Sequence, residues 1–290
     1  MRFPLLFPVA GLLALLSLAC ALPGTDGATD PTTTPATPAT WELTREGANT
    51  LLPLAQIGGD VIGARLLTFW HIPGPLAAAT VIVDVLAQAG PQFLFALVGF
   101  ALVIAHGVGD SFIHDLAWAL AAAALALTGF YVAQRHGGEK LLNALLKRLA
   151  RGREWQINGT FEAVFRQLHL VYGRRQRLAA TVICHLAIWF IGACEVWVAL
   201  SAMGYDITYA DAVAIESLAQ AARGAAFAVP GGVGVLEGGL VVLCALYGIP
   251  AHSALALALM KRAADLLVGV PGLIAWHTLE TRRLAALKRR

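Results

Sequence analysis

Apolar residues gather into long blocks along this chain, parted by short intervals rich in glycine, proline or charge. Residues 75–107, 112–133, 178–203 and 253–277 each reach the roughly 20 apolar-dominated positions that one helical crossing of a bilayer needs. The block at 75–107 exceeds that length, is interrupted at Gly90-Pro91 and holds Asp84. It reads as a tilted span, a span bent at Pro91, or two shorter pieces. Residues 50–71, 209–228 and 233–247 are apolar but broken or short. The pattern predicts an all-α, polytopic helical membrane protein in which some helices are broken or re-entrant.

Composition agrees. Of 290 residues, 58% are hydrophobic and 13% charged, whereas soluble domains carry about 25% charged residues. The mean hydropathy is +0.69. Residues 1–22 follow Arg2 with an apolar run and end in Ala19-Cys20-Ala21, which fits either a secretory signal or a first transmembrane segment. Residues 23–40 are a Thr/Pro-rich stretch that cannot build a core and reads as a linker. The membrane domain then occupies 41–280, with a basic tail at 281–290.

The net charge of +3 matters less than its placement. Ten Arg and Lys residues lie in 135–177, where Leu141, Leu142, Leu145, Leu146 and Leu149 recur at helical spacing. This predicts a basic amphipathic segment along the headgroups, and the positive-inside rule puts it and the tail in the cytoplasm. The sequon at Asn158-Gly159-Thr160 is discounted for the same reason. An even number of crossings must then separate 135–177 from the tail. Spans at 178–203 and 253–277 satisfy this if 209–247 dips into the membrane and returns.

The tip of that dip falls in 223–237, where Arg223, Pro230, Gly231, Gly232, Gly234 and Glu237 interrupt an apolar setting. Proline removes a backbone donor and glycine permits angles other residues resist, so a continuous helix is not expected. A tight turn with its charges at the membrane surface is one reading. The other is the broken centre of a transport pathway, because irregular backbone at membrane depth is tolerated only where protein buries it or it lines a wet cavity. The first half repeats the grammar: Gly58-Gly59-Asp60 and Arg65, then Ile72-Pro73, then a long charged span, against Gly231-Gly232, Glu237, Ile249-Pro250 and 253–277. The two units would be inverted repeats, an architecture common in transporters. A re-entrant 50–71 conflicts with an external residue 41, so either 50–71 crosses fully or the amino-terminal segment is not what it resembles.

Charged residues inside these blocks are Asp60, Arg65, Asp84, Glu195, Glu216, Arg223, Glu237, Lys261, Arg262 and Asp265, and they cannot all face lipid. Lys261 or Arg262 could meet Asp265 on one helix face. Mutual neutralisation that pins helix packing is one role. The other is a polar cleft through which a lipid headgroup slides, with Arg65, Arg223 and Arg262 engaging it and Asp60 and Glu237 orienting the arginines or taking part in ion coupling. The expected pathway comprises Gly58, Gly59, Asp60, Arg65, Asp84, Glu216, Arg223, Pro230, Gly231, Gly232, Gly234, Glu237, Arg262 and Asp265. Gly232-Val233-Gly234 is not a phosphate loop, since no strand precedes it and no Lys-Ser/Thr follows. Four cysteines form no metal spacing, His185 and Glu195 are about 15 Å apart along a helix, and no catalytic order stands out. No catalytic residue, metal or cofactor is expected.

The run Arg223…Pro230-Gly231-Gly232-Val233-Gly234-Val235-Leu236-Glu237-Gly238 resembles the signature of the lysylphosphatidylglycerol synthase transmembrane-region, or flippase-like, family. The blocks Leu52-Pro53…Gly58-Gly59-Asp60…Arg65 and Lys261-Arg262…Asp265…Gly272 are similar to it too, and 51–60 with Asp84 is most similar to its hopanoid-biosynthesis-associated subgroup. The resemblance covers about 41–280. It implies a lipid translocase, or a helper in lipid modification, in the bacterial inner membrane. The substrate would be a phospholipid or hopanoid-type lipid. Family members ordinarily carry one or two plain spans before the Gly-Gly-Asp block, where this chain has a signal-like run and a linker. The fused synthase forms carry a soluble domain after the membrane part, so transferase activity is not expected here. The alternatives are a membrane enzyme transferring a group to lipid, and a non-catalytic scaffold binding lipid-biosynthesis enzymes through 135–177. No nucleic-acid partner is expected.

Overall fold

The structure is a computed structural model and describes residues 38–51, 58–70, 72–107, 109–136, 158–226, 229 and 232–288. The signal-like run at 1–22, most of the 23–40 linker and the leucine-rich part of the basic segment lie outside these residues, as do Pro230 and Gly231.

Among the described residues every regular element is a helix. In chain order they are α1 (Pro38–Leu51), α2 (Gly58–Leu67) with a 3-10 turn at Thr68–Trp70, α3 (Gly74–Ala105), α4 (Asp110–His136), α5 (Asn158–Gly173), α6 (Arg175–Ala202), α7 (Tyr209–Ala225), α8 (Val235–Leu246) and α9 (Ala251–Lys288). Three of them, α3, α4 and α6, are long and apolar enough to cross a membrane. The long block at 75–107 is one helix of 32 residues with Pro91 inside it, about 48 Å at 1.5 Å per residue. α9 has 38 residues, about 57 Å, and carries Lys261, Arg262 and Asp265 within its apolar stretch.

The surface is apolar where a bilayer would touch it. Trp118 and Leu125 on α4, Ile183 on α6, and Leu259, Leu267 and Ile274 on α9 are all exposed. Lys261, Arg262 and Asp265 of α9 point the other way, into the protein. This is the arrangement lipid solvent demands, since an ion facing acyl chains is costly while an apolar side chain is not.

Side-chain contacts fix the direction of each helix. The first turns of α3 pack Ala79 and Val83 on Leu168 and Tyr172 of α5, and the Tyr172 hydroxyl donates to Gln134 at the close of α4. The start of α3, the end of α4 and the start of α6 therefore share one end of the molecule, here called the basic end because Arg135, Arg174, Arg175 and Arg177 crowd it. α6 runs parallel to α3: Phe95 meets Trp189 and Phe190, and Val103 meets Val196 and Leu200. α7 runs back against α3, with Gln92 beside Gln220 and Gly99 beside Ser217. α9 descends next to α7, since Lys261 meets Glu216 and Asp265 meets Arg223. α1 climbs against α9, with Gly47 on Gly269 and Leu43 on Gly272. α2 descends against α1, with Gly59 near Asn49 and Gly63 near Trp41.

Two units of equal plan follow. α1 leaves the basic end, α2 returns to it, and α3 crosses to the far end. α7 leaves the far end, α8 returns, and α9 crosses to the basic end. The units are inverted copies, as the sequence pattern predicts. The segment 209–247 dips and returns, and so does the first hairpin: α1 has 14 residues and α2 has 10, about 21 and 15 Å, against a hydrocarbon core near 30 Å. Each hairpin sits on the long helix of the other unit, α1 on α9 and α7 on α3.

Small residues permit these crossings. A Cβ on Gly99 would stand 1.8 Å from Ser217 Oγ, and one on Gly272 would stand 2.0 Å from Leu43 O. In a lipid environment close backbone approach of this kind drives helix association. The largest core cluster joins α3, α6, α7, α8 and α9 around Leu200, Ile215, Leu236, Leu240 and Leu257. A second joins α1, α2, α3 and α9 around Trp41, Leu66 and Leu67.

Candidate functional site

The ions gather where the two hairpins meet the two long helices. In the first unit Arg45, almost fully buried on α1, is the organiser. Its Nε donates to Asp60 Oδ1 at 2.7 Å and its Nη1 donates to Asp84. Its guanidinium lies over the Trp41 ring at 5.3 Å, and the Trp41 indole donates to Gly63 O at 2.8 Å, which ties the two hairpin arms together. Asp60 is the third residue of α2, where a carboxylate complements the helix dipole.

The second unit has the matching acid. Glu237 is the third residue of α8; its Oε2 accepts from Gly234 N–H at 2.7 Å and its Oε1 accepts from Arg262 Nε at 2.8 Å. Arg223, in the last turn of α7, reaches Asp265 at 3.4 Å, and Arg262 reaches the same oxygen at 3.5 Å. The chain between α7 and α8 needs glycine. Gly232 has φ +60° and Gly234 φ +83°, and a Cβ on Gly232 would stand 2.7 Å from Cγ of Arg223. Gly232 therefore packs directly on the arginine stem.

A third group lies nearer the far end. Lys261 on α9 donates to Glu216 Oε1 at 2.9 Å and stands 3.7 Å from Glu195 on α6. Gln220 donates to the same Glu216 oxygen at 2.9 Å. A stripe of amides on α3 runs between this group and the first. Gln88 donates to Asp84 at 2.7 Å, and Gln92, one turn on, donates to Gln220 O at 2.9 Å.

Beside Asp84 a pocket opens between α1, α2, α3, α5 and α6. Trp41, Leu67, Val83 and Leu178 wall it, and Arg174 and Arg177 line it with Asp84. Apolar walls, one half-buried carboxylate and two arginines at the basic end suit a molecule that is part hydrocarbon and part anion. At that end the Tyr172 hydroxyl, pushed up to about 12 by burial and then by Tyr131, stays protonated and keeps its bond to Gln134.

The expected pathway residues are thus brought together in large part. Gly58, Gly59, Asp60 and Asp84 lie around Arg45. Glu216, Arg223, Gly232, Gly234, Glu237, Arg262 and Asp265 lie around α9. Arg65 stands apart: its side chain is 58% exposed and pairs with Glu280 at the basic end. Lys261 meets Glu216 and Glu195, while Asp265 takes Arg223 and Arg262. Sequence reasoning missed Arg45, Gln88, Gln92 and Gln220. Among the described residues no cluster of His, Cys, Asp and Glu could hold a metal ion.

A family model for the lysylphosphatidylglycerol synthase TM region matches residues 42–272. The chain belongs to that family. The matched stretch runs from the first turns of α1 to Gly272, the crossing point of α9 with α1, so the family's membrane region contains both hairpins and all three ion groups. No curated protein and no solved structure matches the chain. Membership supports a membrane protein that handles lipid.

Proposed function

We propose that this family member is a lipid translocase of the bacterial inner membrane, with the basic end in the cytoplasm. The observation that carries the reading is the pair of inverted hairpins whose ions face one shared interior rather than the lipid or the ends. Inverted repeats with broken helices meeting at depth are the plan of many transporters. Three groups of ions stacked along the axis give a headgroup successive polar partners while its chains stay among acyl tails. The pocket at Asp84, with Arg174 and Arg177, would be the cytoplasmic entry, and a phosphate-bearing headgroup fits its charge. A phospholipid or a hopanoid-type lipid is the cargo, the latter favoured by the wording of residues 51–60.

Among the described residues no catalytic constellation favours the rival reading of a lipid-modifying enzyme, and a scaffold for lipid-biosynthesis enzymes would not need ions at this depth. The test is reconstitution. Arg223→Ala and Glu237→Ala should each abolish transbilayer movement of a labelled phosphatidylglycerol in proteoliposomes while inserting normally. Parental rates in both variants would overturn the reading.

A further inference from the structure

The Glu195–Lys261–Glu216 group has one cation for two carboxylates. The Lys261 side chain is 8% exposed, Glu216 3% and Glu195 38%. Glu216 Oε1 accepts from both Lys261 and Gln220, but its other oxygen, Oε2, is buried with no hydrogen-bond partner. A carboxylate oxygen left without a donor away from water is unfavourable, and so is an excess of one negative charge.

Among the described residues no charge outside the group is paired with either carboxylate. Asp265 and Arg262 face the site from α9, Arg223 from α7 and Glu237 from α8, and these four pair among themselves as two cations with two anions. α3 presents Gln92 there, an uncharged group. On α6, Cys194 turns its thiol to Phe190 O. The Arg45–Asp60–Asp84 group has the same one-to-two count, but Asp84 shares its pocket with Arg174 and Arg177, which supply positive charge. A metal cation at the Lys261 group would sit beside an ammonium and find few oxygens.

We propose that the Glu195–Lys261–Glu216 group is a proton-binding site that couples the translocation proposed above to a proton gradient. A proton from water adds to the Glu195 carboxylate and gives a neutral acid, leaving Lys261 and Glu216 as a neutral ion pair. Loss of that proton to water restores the carboxylate. Glu195 is the exchange point because it is the exposed member, and Glu216 holds the lysine. Proton binding stands on this geometry alone, whereas coupling rests on the translocase reading.

Full-length protein in lipid nanodiscs, titrated with pH and followed by infrared difference spectroscopy, tests it. The expected result is a protonated-carboxyl component that disappears as pH rises, is present in the parent and is missing in Glu195→Gln. The band should persist in Asp84→Asn. A titration that Glu195→Gln leaves unchanged from the parent overturns the proposal. In proteoliposomes an imposed pH gradient should change the rate of labelled phosphatidylglycerol movement several-fold in the parent and leave Glu195→Gln indifferent. A parental rate that ignores the gradient overturns the coupling. If the band behaves as expected and no lipid moves in the parent, the proton site stands and the translocase reading falls.

Discussion

Gly47 and Gly269 face each other where α1 crosses α9, and the contact is not symmetric. A Cβ on Gly47 would stand 2.5 Å from the carbonyl oxygen of Gly269 and 3.1 Å from its Cα, whereas a Cβ on Gly269 would first meet Cδ1 of Leu51 at 2.7 Å. Backbone cannot yield, but the tip of a leucine can. Both sites are helical, so the helix-propensity gain from alanine is the same for each. Gly47→Ala should therefore lower stability by about 1–3 kcal/mol from overpacking, and Gly269→Ala by less. Thermal unfolding in detergent would show it, and a larger loss at Gly269 would contradict this account of the crossing.

Arg45 is the cation whose loss should hurt most in the first unit. Arg45→Ala leaves Asp60 and Asp84 buried without their partner, at a cost of about 3–5 kcal/mol. Arg45→Lys should recover part of this, since a compact ammonium lacks the rigid planar fork that meets Asp60 through Nε and Asp84 through Nη1. Arg65→Ala removes an exposed partner of Glu280 and should fall within about 0.5 kcal/mol of the parent. Comparing the three unfolding midpoints checks the ranking.

Lys261 and Glu216 should behave as a unit. Lys261→Met and Glu216→Gln each strand a buried polar partner, while the double substitution removes both. A double-mutant cycle on unfolding free energy should give a coupling of about 0.5–3 kcal/mol. Simple additivity would mean that the two side chains do not meet.

The pocket beside Asp84 predicts a salt-sensitive preference. Arg174→Gln with Arg177→Gln should reduce retention of anionic lipid through purification several-fold and leave neutral lipid unchanged. High salt should mimic the substitution in the parent, because exposed charges are screened within about 10 Å at 0.1 M. Mass spectrometry of co-purified lipid reads the outcome.

Much of this was legible in the chain. Blocks of apolar residues set the helices, and the recurrence of a glycine pair, an acid and Ile-Pro marked the two inverted units. The acids were easiest to place, because Asp60 and Glu237 each open a short helix just after glycines. Their cations were harder. Arg65 lies near Asp60 in sequence, yet helix geometry turns it to the basic end, where it pairs with Glu280. The true equivalent of Arg223 is Arg45, which precedes its acid by 15 residues as Arg223 precedes Glu237 by 14. It stands before the apolar block, where hydrophobic patterning gives no signal that it is buried. Asp84, Gln88 and Gln92 recur every four residues, a helical stripe readable in advance. That Gln92 binds the backbone of Gln220 depends on how α3 and α7 cross, which no local pattern encodes.

α9 touches the first hairpin near Gly269 and Gly272 and the second near Lys261 and Arg262, so it bears on both like a beam resting on two supports. Its contacts with α1 lie toward one face of the membrane and those with α7 and α8 toward the other. A small tilt about the middle of such a rod loosens one seat as it tightens the other. In the translocase proposed above, a single helix would thereby link the two ends of the pathway.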